Sequence, residues 1–147
     1  MMAKVLFVCS GNTCRSPMAE AILVSKNIKG VEGRSAGLFA VDGASLSPQA
    51  KQVLEEEQIP FQHQAKLLRT EDVEWADIIL TMTEQHKNYL QDLYPDAAEK
   101  VYTLKEYAGE QDLDIADPFG GSVSLYKQTF HELQTLIDRI VKKLNTG

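Results

Sequence analysis

Short apolar segments alternate with longer segments of mixed polarity along the chain, a pattern typical of strands followed by helices. Residues 4–9 (KVLFVC) form an apolar run with β-branched side chains, which suits a strand buried on both faces. Further short strands are predicted at residues 33–36, 77–82 and 100–103. The pattern therefore predicts an α/β protein, with an open parallel sheet and helices on both faces.

The first two helices are predicted from the residues that mark their ends. Ser16 is a suitable N-cap for a helix over residues 16–29, and Gly30 can close it. A second helix is predicted to open at Ser47 and to end before Pro60, which stops it near residue 58.

Two more helices are predicted in the second half of the chain. One covers residues 83–93, with Thr83 as its cap. Residues 112–122 have the composition of a loop, and a long helix follows them. That helix carries one apolar stripe at steps of four and three, formed by Tyr126, Phe130, Leu133, Ile137, Ile140 and Leu144.

Length, composition and charge limit the classes of protein that the chain can represent. Its 147 residues, 44% hydrophobic and 24% charged, are expected to form one domain over residues 1–147. No run approaches the ~18 apolar residues of a membrane span, and the N-terminal apolar run is too short for a signal peptide. A cytoplasmic protein without a membrane partner is therefore expected. The net charge of −6 argues against a nucleic-acid partner.

Residues 9–16 (CSGNTCRS) lie between the first predicted strand and the first predicted helix. Ligands of parallel sheets bind at the carboxyl ends of strands, and the amides of such a loop can curl into an anion-binding nest. Gly11 and Asn12 tolerate the left-handed backbone angles that a nest requires. The segment is therefore predicted to hold a phosphoryl group.

Three side chains of this segment suit phosphoryl transfer. Cys9 faces a helix N-terminus, inward amides and Arg15, all of which favour the nucleophilic thiolate. Arg15 offers a planar charged fork for two phosphate oxygens, and the Ser16 hydroxyl can donate to the thiolate. The predicted chemistry is phosphoryl transfer through a phosphocysteine.

Covalent transfer also needs a general acid for the leaving group and then a base for water. Asp117 is the candidate, in the loop before the last helix, where Pro118 restricts the backbone. Asp-Pro pairs also start turns without any catalytic task, and composition alone does not decide between the two interpretations.

Four segments, in order along nearly the whole chain, resemble those of one family: VCSGNTCRSPMAE at 8–20, RSAG at 34–37, ADIILTM at 76–82 and DP at 117–118. On these segments the chain resembles the low-molecular-weight protein tyrosine phosphatases. The resemblance implies a three-layer, flavodoxin-like fold with four parallel strands, no metal or cofactor, and phosphorylated proteins as substrates. It also implies Cys9 as nucleophile, Arg15 as phosphate ligand and Asp117 as general acid and base. A monomer is expected.

The resemblance implies tasks for further residues. The substrate is expected to contact Ser10, Gly11, Asn12, Thr13, Cys14, Ser16 and Phe119. Hydrogen bonds from Asn12, Ser16 and His63 are expected to shape the loop. Cys14 is expected to form a reversible disulfide with Cys9, which protects Cys9 from over-oxidation.

At two positions the sequence resembles one branch of this family, the bacterial protein arginine phosphatases. Thr13 stands where mammalian members carry isoleucine, and Phe119 stands where they carry tyrosine. Residues 117–129, 103–107 and 85–87 also resemble that branch. The methyl and hydroxyl of Thr13 can favour a planar guanidinium and crowd a phenyl ring, so phosphoarginine is the expected substrate and phosphotyrosine the alternative.

Two other classes share the fold or the placement of the cysteine. An arsenate reductase needs further cysteines to relay a disulfide, and none follows Cys14. A phosphoryl carrier of a sugar-transport system would hold phosphate on cysteine without hydrolysing it. Such a carrier would have little need for Arg15 or Asp117.

Overall fold

The computed structural model describes residues 3–59 and 61–146, and it contains the four strands that the sequence predicts. They are β1 (Ala3–Cys9), β2 (Val31–Gly37), β3 (Ile78–Thr81) and β4 (Val101–Thr103). The strands lie in the order β2-β1-β3-β4, and each neighbouring pair is parallel. The predicted four-stranded parallel sheet is confirmed.

Helices connect the strands throughout the described part of the chain. They are α1 (Arg15–Ser25), α2 (Pro48–Glu56), α3 (Thr70–Trp75), α4 (Glu84–Leu93), α5 (Leu104–Tyr107) and α6 (Val123–Thr146), with a 3₁₀ helix at Pro95–Lys100. Within the described ranges, none of these helices has the length and apolar content that crossing a bilayer requires.

Alternate residues of β1 face opposite sides of the sheet, and helices cover both sides. Val5 and Phe7 pack into a core with α1, α2 and α6, whereas Leu6 and Val8 pack into a second core with α3 and α4. None of the four side chains is more than 1% exposed. Burial of each large apolar side chain stabilises the fold by about 1.5–3 kcal/mol. The expected three-layer arrangement is confirmed.

The start of α1 differs from the prediction. Cys14 occupies the N-cap position and its carbonyl accepts the first helical hydrogen bond, from the Met18 N–H at 3.0 Å. The helix therefore begins at Arg15, and the prediction of Ser16 as its cap is wrong. Ser16 lies in the first turn, fully buried, where its hydroxyl contacts Cys9.

Two helices end earlier than predicted because a polar residue turns the backbone into the left-handed region. Asn27, with φ of 48°, follows the end of α1 at Ser25, so the helix does not extend to Gly30. Gln58, with φ of 61°, follows the end of α2 at Glu56. Pro60, which the sequence suggested as the stop of α2, lies outside the described residues.

The predicted caps of the next two helices are confirmed. The side chain of Ser47 accepts a hydrogen bond from the Ala50 N–H at 3.3 Å, and that of Thr83 accepts one from the His86 N–H at 3.1 Å. Each cap satisfies an amide that has no partner inside its helix. Thr83 thereby fixes the first turn of α4.

Three short helices were not predicted: α3, the 3₁₀ helix and α5. They span four to six residues, too few for a helical period to emerge from the sequence. α5 did carry a readable signal, the capping box of Thr103 and Glu106. The Glu106 N–H donates to Thr103 Oγ1 at 3.0 Å, and the Thr103 N–H donates to Glu106 Oε1 at 3.2 Å.

The topology brings the carboxyl ends of β1 and β3 together. The chain passes from one side of β1 to the other between β2 and β3, which creates a crevice at those strand ends. Val8 pairs with Thr81, and the Met82 N–H donates to the Val8 carbonyl at 3.0 Å. The loop after Cys9 therefore lies beside the first turn of α4.

Candidate active site

The loop after β1 turns its carbonyl groups outward. Four of these carbonyls accept hydrogen bonds from groups outside the loop. The Cys9 carbonyl accepts from the Leu38 N–H and the Ser10 carbonyl from the Phe39 N–H, both at 2.9 Å. The Asn12 carbonyl accepts from His63 Nε2 at 2.7 Å, and the Thr13 carbonyl accepts from the Ser47 N–H at 3.0 Å. In a trans peptide the carbonyl and the following N–H point in opposite directions, and no described peptide bond is cis. The amides of Ser10, Gly11, Thr13 and Cys14 therefore point into the loop, as an anion-binding nest requires.

Asn12 gives this loop its turn. Its φ is 57°, in the left-handed region, and its side chain is fully buried. Gly11 does not have a positive φ, and a Cβ built on it would lie 3.7 Å from Thr13 Oγ1, an ordinary contact distance. The expectation that Gly11 also supplies left-handed geometry is therefore wrong. The strained position is occupied by an asparagine whose Oδ1 accepts from the Lys66 N–H at 2.9 Å.

Gly37, at the end of β2, allows a second segment to wrap around the nest. A Cβ at this position would lie 2.5 Å from the Ser10 carbonyl oxygen and 3.0 Å from the Asn12 nitrogen. Any side chain here would push the nest away from β2. The glycine that ends the RSAG segment is therefore required by close backbone packing.

Asn12 orients two hydroxyl groups next to the nest. Its Nδ2 donates to Ser16 Oγ at 2.8 Å and to Ser35 Oγ at 3.0 Å. Each oxygen accepts from Asn12 and so keeps its own hydrogen for another partner. Ser16 Oγ lies 2.9 Å from Cys9 Sγ. Ser16 thus presents an O–H donor to the sulfur.

Glu20 closes the other end of this chain of hydrogen bonds. Its carboxylate oxygen Oε1 accepts from the Ser35 hydroxyl. Burial raises the pKa of Glu20, and the Ser35 hydrogen bond and the Arg34 charge act in the opposite direction. Because the Ser35 hydroxyl donates its hydrogen to Glu20, the Ser35 oxygen acts as the acceptor toward Asn12. The donor and the acceptor of each hydrogen bond from Asn12 to Glu20 are therefore fixed.

Arg15 presents one edge of its guanidinium to the loop. Nη1 donates to the Ile115 carbonyl at 2.7 Å, and Nη2 lies 3.6 Å from Asp117 Oδ2. Nε is buried and makes no hydrogen bond to any residue of the described ranges. The side chain is only 5% exposed. The Nε–Nη2 edge can therefore bind two oxygens of one anion, as guanidinium does with phosphate.

Asp117 stands at the rim of the same loop, with a half-exposed side chain. Oδ1 accepts from the Phe119 N–H at 3.1 Å, which forms an Asx turn, and from the Cys14 thiol at 3.7 Å. Oδ2 faces Arg15. These contacts point the Asp117 carboxylate toward the anion-binding edge of Arg15. The side chain of Phe119, two residues after Asp117, is 75% exposed.

The two cysteines of the loop are both buried and free, but their surroundings differ. Burial, followed by the charges of Cys9 and Asp117, raises the pKa of Cys14 to about 12. Cys14 is therefore a protonated thiol at neutral pH, able to donate to Asp117. Cys9 instead faces the Ser16 donor. The loop holds one sulfur suited to nucleophilic attack and one that stays protonated.

His63 supports the nest from outside. Its Nε2 lies 2.7 Å from the Asn12 carbonyl, and because a carbonyl only accepts, Nε2 carries the hydrogen. Burial lowers the pKa of His63, so the imidazole is neutral at neutral pH.

Thr13 is half-buried. Every residue predicted for the site thus lies in the loop of residues 9–16 or in a segment that contacts it.

Sequence reasoning did not assign a task to Glu20, Ser35 or His86, although all three contact the loop or its hydrogen-bond chain. Glu20 lies four residues after Ser16, on the same face of α1, and Ser35 lies near the end of β2. His86 lies in the first turn after β3, and its Nε2 is 2.8 Å from Ser10 Oγ. A search of strand ends for polar side chains would have found Ser35, whereas His86 lies inside the helix that follows β3.

The groups around the nest are the Cys9 sulfur, the guanidinium edge of Arg15 and the Asp117 carboxylate. This set suits transfer of a phosphoryl group to sulfur, with the negative charge held by amides and Arg15. Over residues 3–59 and 61–146, no group of three or more His, Cys, Asp or Glu side chains is arranged to hold a metal ion.

Comparison with known proteins agrees with this chemistry. The family model for low molecular weight phosphotyrosine protein phosphatase matches residues 4–147. A protein-arginine-phosphatase of Geobacillus stearothermophilus is 47% identical over 146 residues, 99% of each chain. The low molecular weight protein-tyrosine-phosphatase PtpB of Staphylococcus haemolyticus is 45% identical over 137 residues, 93% of this chain and 96% of the relative.

A solved structure extends the match to the whole fold. The YwlE arginine phosphatase from Geobacillus stearothermophilus aligns with a TM-score of 0.96 at 47% identity, over 98% of this chain and 94% of that one. The fold and the family that the sequence resembles are both confirmed. The chain therefore belongs to the low molecular weight phosphotyrosine protein phosphatase family and is a cysteine-dependent protein phosphatase.

Proposed function

We propose that this phosphatase hydrolyses phosphoarginine in proteins through a phosphocysteine intermediate. Cys9 is the nucleophile, Arg15 and the loop amides bind the phosphoryl group, and Asp117 is the general acid and base. The observation that carries the mechanism is the 2.9 Å contact of Cys9 Sγ with a hydroxyl that already accepts from Asn12. That hydroxyl has its hydrogen free for the sulfur.

In the first step Cys9 Sγ forms a bond to phosphorus while the bond from phosphorus to the leaving nitrogen breaks. The protonated carboxyl of Asp117 gives its proton to that nitrogen, so arginine leaves as a stable guanidine. The Nε–Nη2 edge of Arg15 and the inward amides stabilise the equatorial oxygens. Ser16 keeps its hydrogen bond from Asn12 while Cys9 changes from thiolate to phosphocysteine.

In the second step water attacks the phosphocysteine. Asp117, now a carboxylate, takes a proton from the water as the bond from sulfur to phosphorus breaks. Inorganic phosphate leaves, and the Ser16 hydroxyl again donates to the Cys9 thiolate. The carboxyl ends the cycle protonated and ready for the next substrate.

Thr13 supports phosphoarginine over phosphotyrosine. It is half-buried in the wall of the loop, directly before Cys14, and its carbonyl is fixed by the Ser47 N–H at 3.0 Å. A hydroxyl and a methyl at this position offer a planar guanidinium a polar neighbour that a larger aliphatic side chain lacks. The 47% identical relative named as an arginine phosphatase supports the same choice. The alternative, phosphotyrosine, is supported by the 45% identical relative named as a tyrosine phosphatase.

The substrate proposal is tested by kcat/KM on two peptides that differ only in phosphoarginine or phosphotyrosine. The wild-type protein is expected to favour phosphoarginine. Thr13→Ile is expected to shift the ratio toward phosphotyrosine by about 10-fold or more, the effect of adding aliphatic bulk to a binding site. Thr13→Val, which keeps the shape but removes the hydroxyl, separates the polar contribution from the bulk.

Faster turnover of phosphotyrosine by the wild-type protein would reject arginine specificity but leave the phosphocysteine mechanism in place. An unchanged ratio in Thr13→Ile would instead remove Thr13 from the explanation of specificity. Rapid-quench detection of phosphorylated Cys9 with either peptide tests the mechanism by itself.

We further propose that Cys9 and Cys14 form a reversible disulfide. Peroxide converts the Cys9 thiolate into a sulfenic acid and releases hydroxide. The Cys14 sulfur then displaces the sulfenic oxygen, and the hydroxyl leaves with the Cys14 proton as water. Both cysteines are free and buried in the same loop, which supports the pairing.

Peroxide is therefore expected to inactivate the wild-type protein, and a dithiol to restore nearly all activity. Cys14→Ser is the matched variant, because its hydroxyl can still donate to Asp117 but cannot trap the sulfenic acid. After prolonged peroxide its activity is expected to stay lost, as Cys9 proceeds to sulfinic acid. Equal recovery of both proteins would show that Cys14 offers no protection.

A further inference from the structure

Ser10 and His86 form a polar contact at the edge of the nest. Ser10 follows the nucleophile directly, and its Oγ lies 2.8 Å from Nε2 of His86, which is 7% exposed. Ser10 directly follows β1 and His86 lies in the first turn of α4, which follows β3, so the two residues are more than seventy positions apart in the chain. The contact therefore arises only in the folded crevice between these strands.

Both partners are held firmly. The Thr83 side chain caps α4 by accepting from the His86 N–H at 3.1 Å, and the Ser10 carbonyl accepts from the Phe39 N–H at 2.9 Å. β1 and β3 are joined by the ladder that pairs Val8 with Thr81. These bonds fix the backbone at both residues and so keep the two side chains within hydrogen-bond reach of each other.

The other ring nitrogen decides which partner donates. Nδ1 of His86 is buried and makes no hydrogen bond to any residue that the structure describes. If Nδ1 carried the hydrogen, a buried N–H would lack a partner, and such donors are rarer than unpaired acceptors. The hydrogen therefore belongs on Nε2, which donates to Ser10 Oγ. The Ser10 hydroxyl hydrogen is then free.

The imidazole is also uncharged in this position. Burial, followed by the charge of Arg15, lowers the pKa of His86 to about 4, while Asp117 and Asp114 act in the opposite direction. The charges of Arg15 and Asp117 therefore both affect the pKa of His86. It supplies a donor to Ser10 without adding a second positive charge beside Arg15.

We propose that His86 is a positioning residue: it donates Nε2–H to Ser10 Oγ and so directs the Ser10 hydroxyl as a hydrogen-bond donor to an oxygen of the bound phosphoryl group. This proposal rests on the proposed function, since it assumes that the phosphoryl group lies in the loop of residues 9–16. It does not depend on whether the leaving group is arginine or tyrosine.

The test is a double-mutant cycle on Ser10→Ala and His86→Phe, with para-nitrophenyl phosphate as substrate and inorganic phosphate as inhibitor. Each single variant is expected to lower kcat/KM by about 10-fold and to weaken phosphate inhibition by a similar factor, as for loss of one hydrogen bond to a charged group. The double variant is expected to lose no more than either single variant. His86→Gln, which can still offer an N–H to Ser10, is expected to recover most of the activity.

Thermal melting separates positioning from folding. Phenylalanine fills the site of the imidazole ring, whose Nδ1 has no hydrogen-bond partner among the residues that the structure describes, so His86→Phe is expected to keep a melting temperature near that of the wild-type protein. A long-range ¹H–¹⁵N spectrum of the wild-type protein is expected to show the hydrogen on Nε2 of His86. A hydrogen on Nδ1, independent losses in the double variant, or unaltered phosphate inhibition in Ser10→Ala would each overturn the proposal. Failure of the proposed function would be recognised by other results. The wild-type protein would then be active without phosphorylation of Cys9, or it would prefer phosphotyrosine to phosphoarginine.

Discussion

Replacement of Cys9 by serine is expected to lower kcat by about 10⁴-fold or more, since a nucleophile of covalent catalysis has no substitute in the site. A serine hydroxyl is a much weaker nucleophile than a cysteine sulfur. Its oxygen would meet Ser16 Oγ, which offers a donor but no base. The measurement is single-turnover release of phosphate from a phosphoarginine peptide.

Binding of phosphate is expected to survive this substitution. The amides of Ser10, Gly11, Thr13 and Cys14 and the Nε–Nη2 edge of Arg15 do not depend on the sulfur for their positions. Removal of a negative charge next to the anion should leave phosphate bound at least as tightly, which calorimetry can measure. Loss of binding together with turnover would mean that the variant had lost the nest, and the result would not identify the nucleophile.

Cys14→Ser is the matched control because it changes the other buried sulfur of the same loop. It is expected to retain far more turnover than Cys9→Ser. Comparable losses in the two variants would contradict the assignment of Cys9 as nucleophile. The distinction follows from their neighbours, since Ser16 faces Cys9 and the Asp117 carboxylate faces Cys14.

The local part of the site could be predicted from sequence because its residues are neighbours in the chain. Residues 9–16 place the sulfur, the amides and the guanidinium within one strand–loop–helix unit, and a strand end before a helix start is readable from polarity. The error over Ser16 has the same origin. Serine before proline is a common cap, but here the nest has already turned the chain, so the helix begins one residue earlier.

The non-local part could not be predicted in the same way. The contact of Ser10 with His86 depends on the pairing of β1 with β3, and the contact of Arg15 with the Ile115 carbonyl depends on the path of a loop without secondary structure. No periodicity in the sequence encodes either distance. Asp117 was found through its Asp-Pro pair, but the Asx turn with Phe119 that aims its carboxylate required coordinates.

The net charge of −6 is compatible with an anion site because the site is built from short-range dipoles. Surface charges are screened over about 8 Å in physiological salt, whereas the amides and the Arg15 edge act at contact distance. Arg15 is buried, so its attraction for an anion is weakened less by water than that of a surface lysine. The acidic surface therefore has little effect on the first contacts of the phosphoryl group.

Asp117→Asn is expected to slow hydrolysis of phosphoarginine and phosphotyrosine peptides by about 10²-fold or more, the usual scale for loss of a general acid. Asparagine keeps the shape and can still accept from the Phe119 N–H, but it has no proton to give to the leaving group. With para-nitrophenyl phosphate, whose leaving group needs no proton, the first step should stay fast. The second step should still be slow, because no base activates the water.

A burst of nitrophenol equal to one per enzyme is therefore expected from Asp117→Asn, as phosphocysteine accumulates. The matched control is Asp112→Asn, which makes the same change of charge in the same loop at a side chain that is 81% exposed, and Lys105 keeps Glu132 as an ion-pair partner. Its kinetics should resemble those of the wild-type protein. Since Asp117 Oδ2 also lies 3.6 Å from Arg15, an equal loss on all substrates without a burst would mean that the carboxylate acts by holding the guanidinium, not by moving a proton.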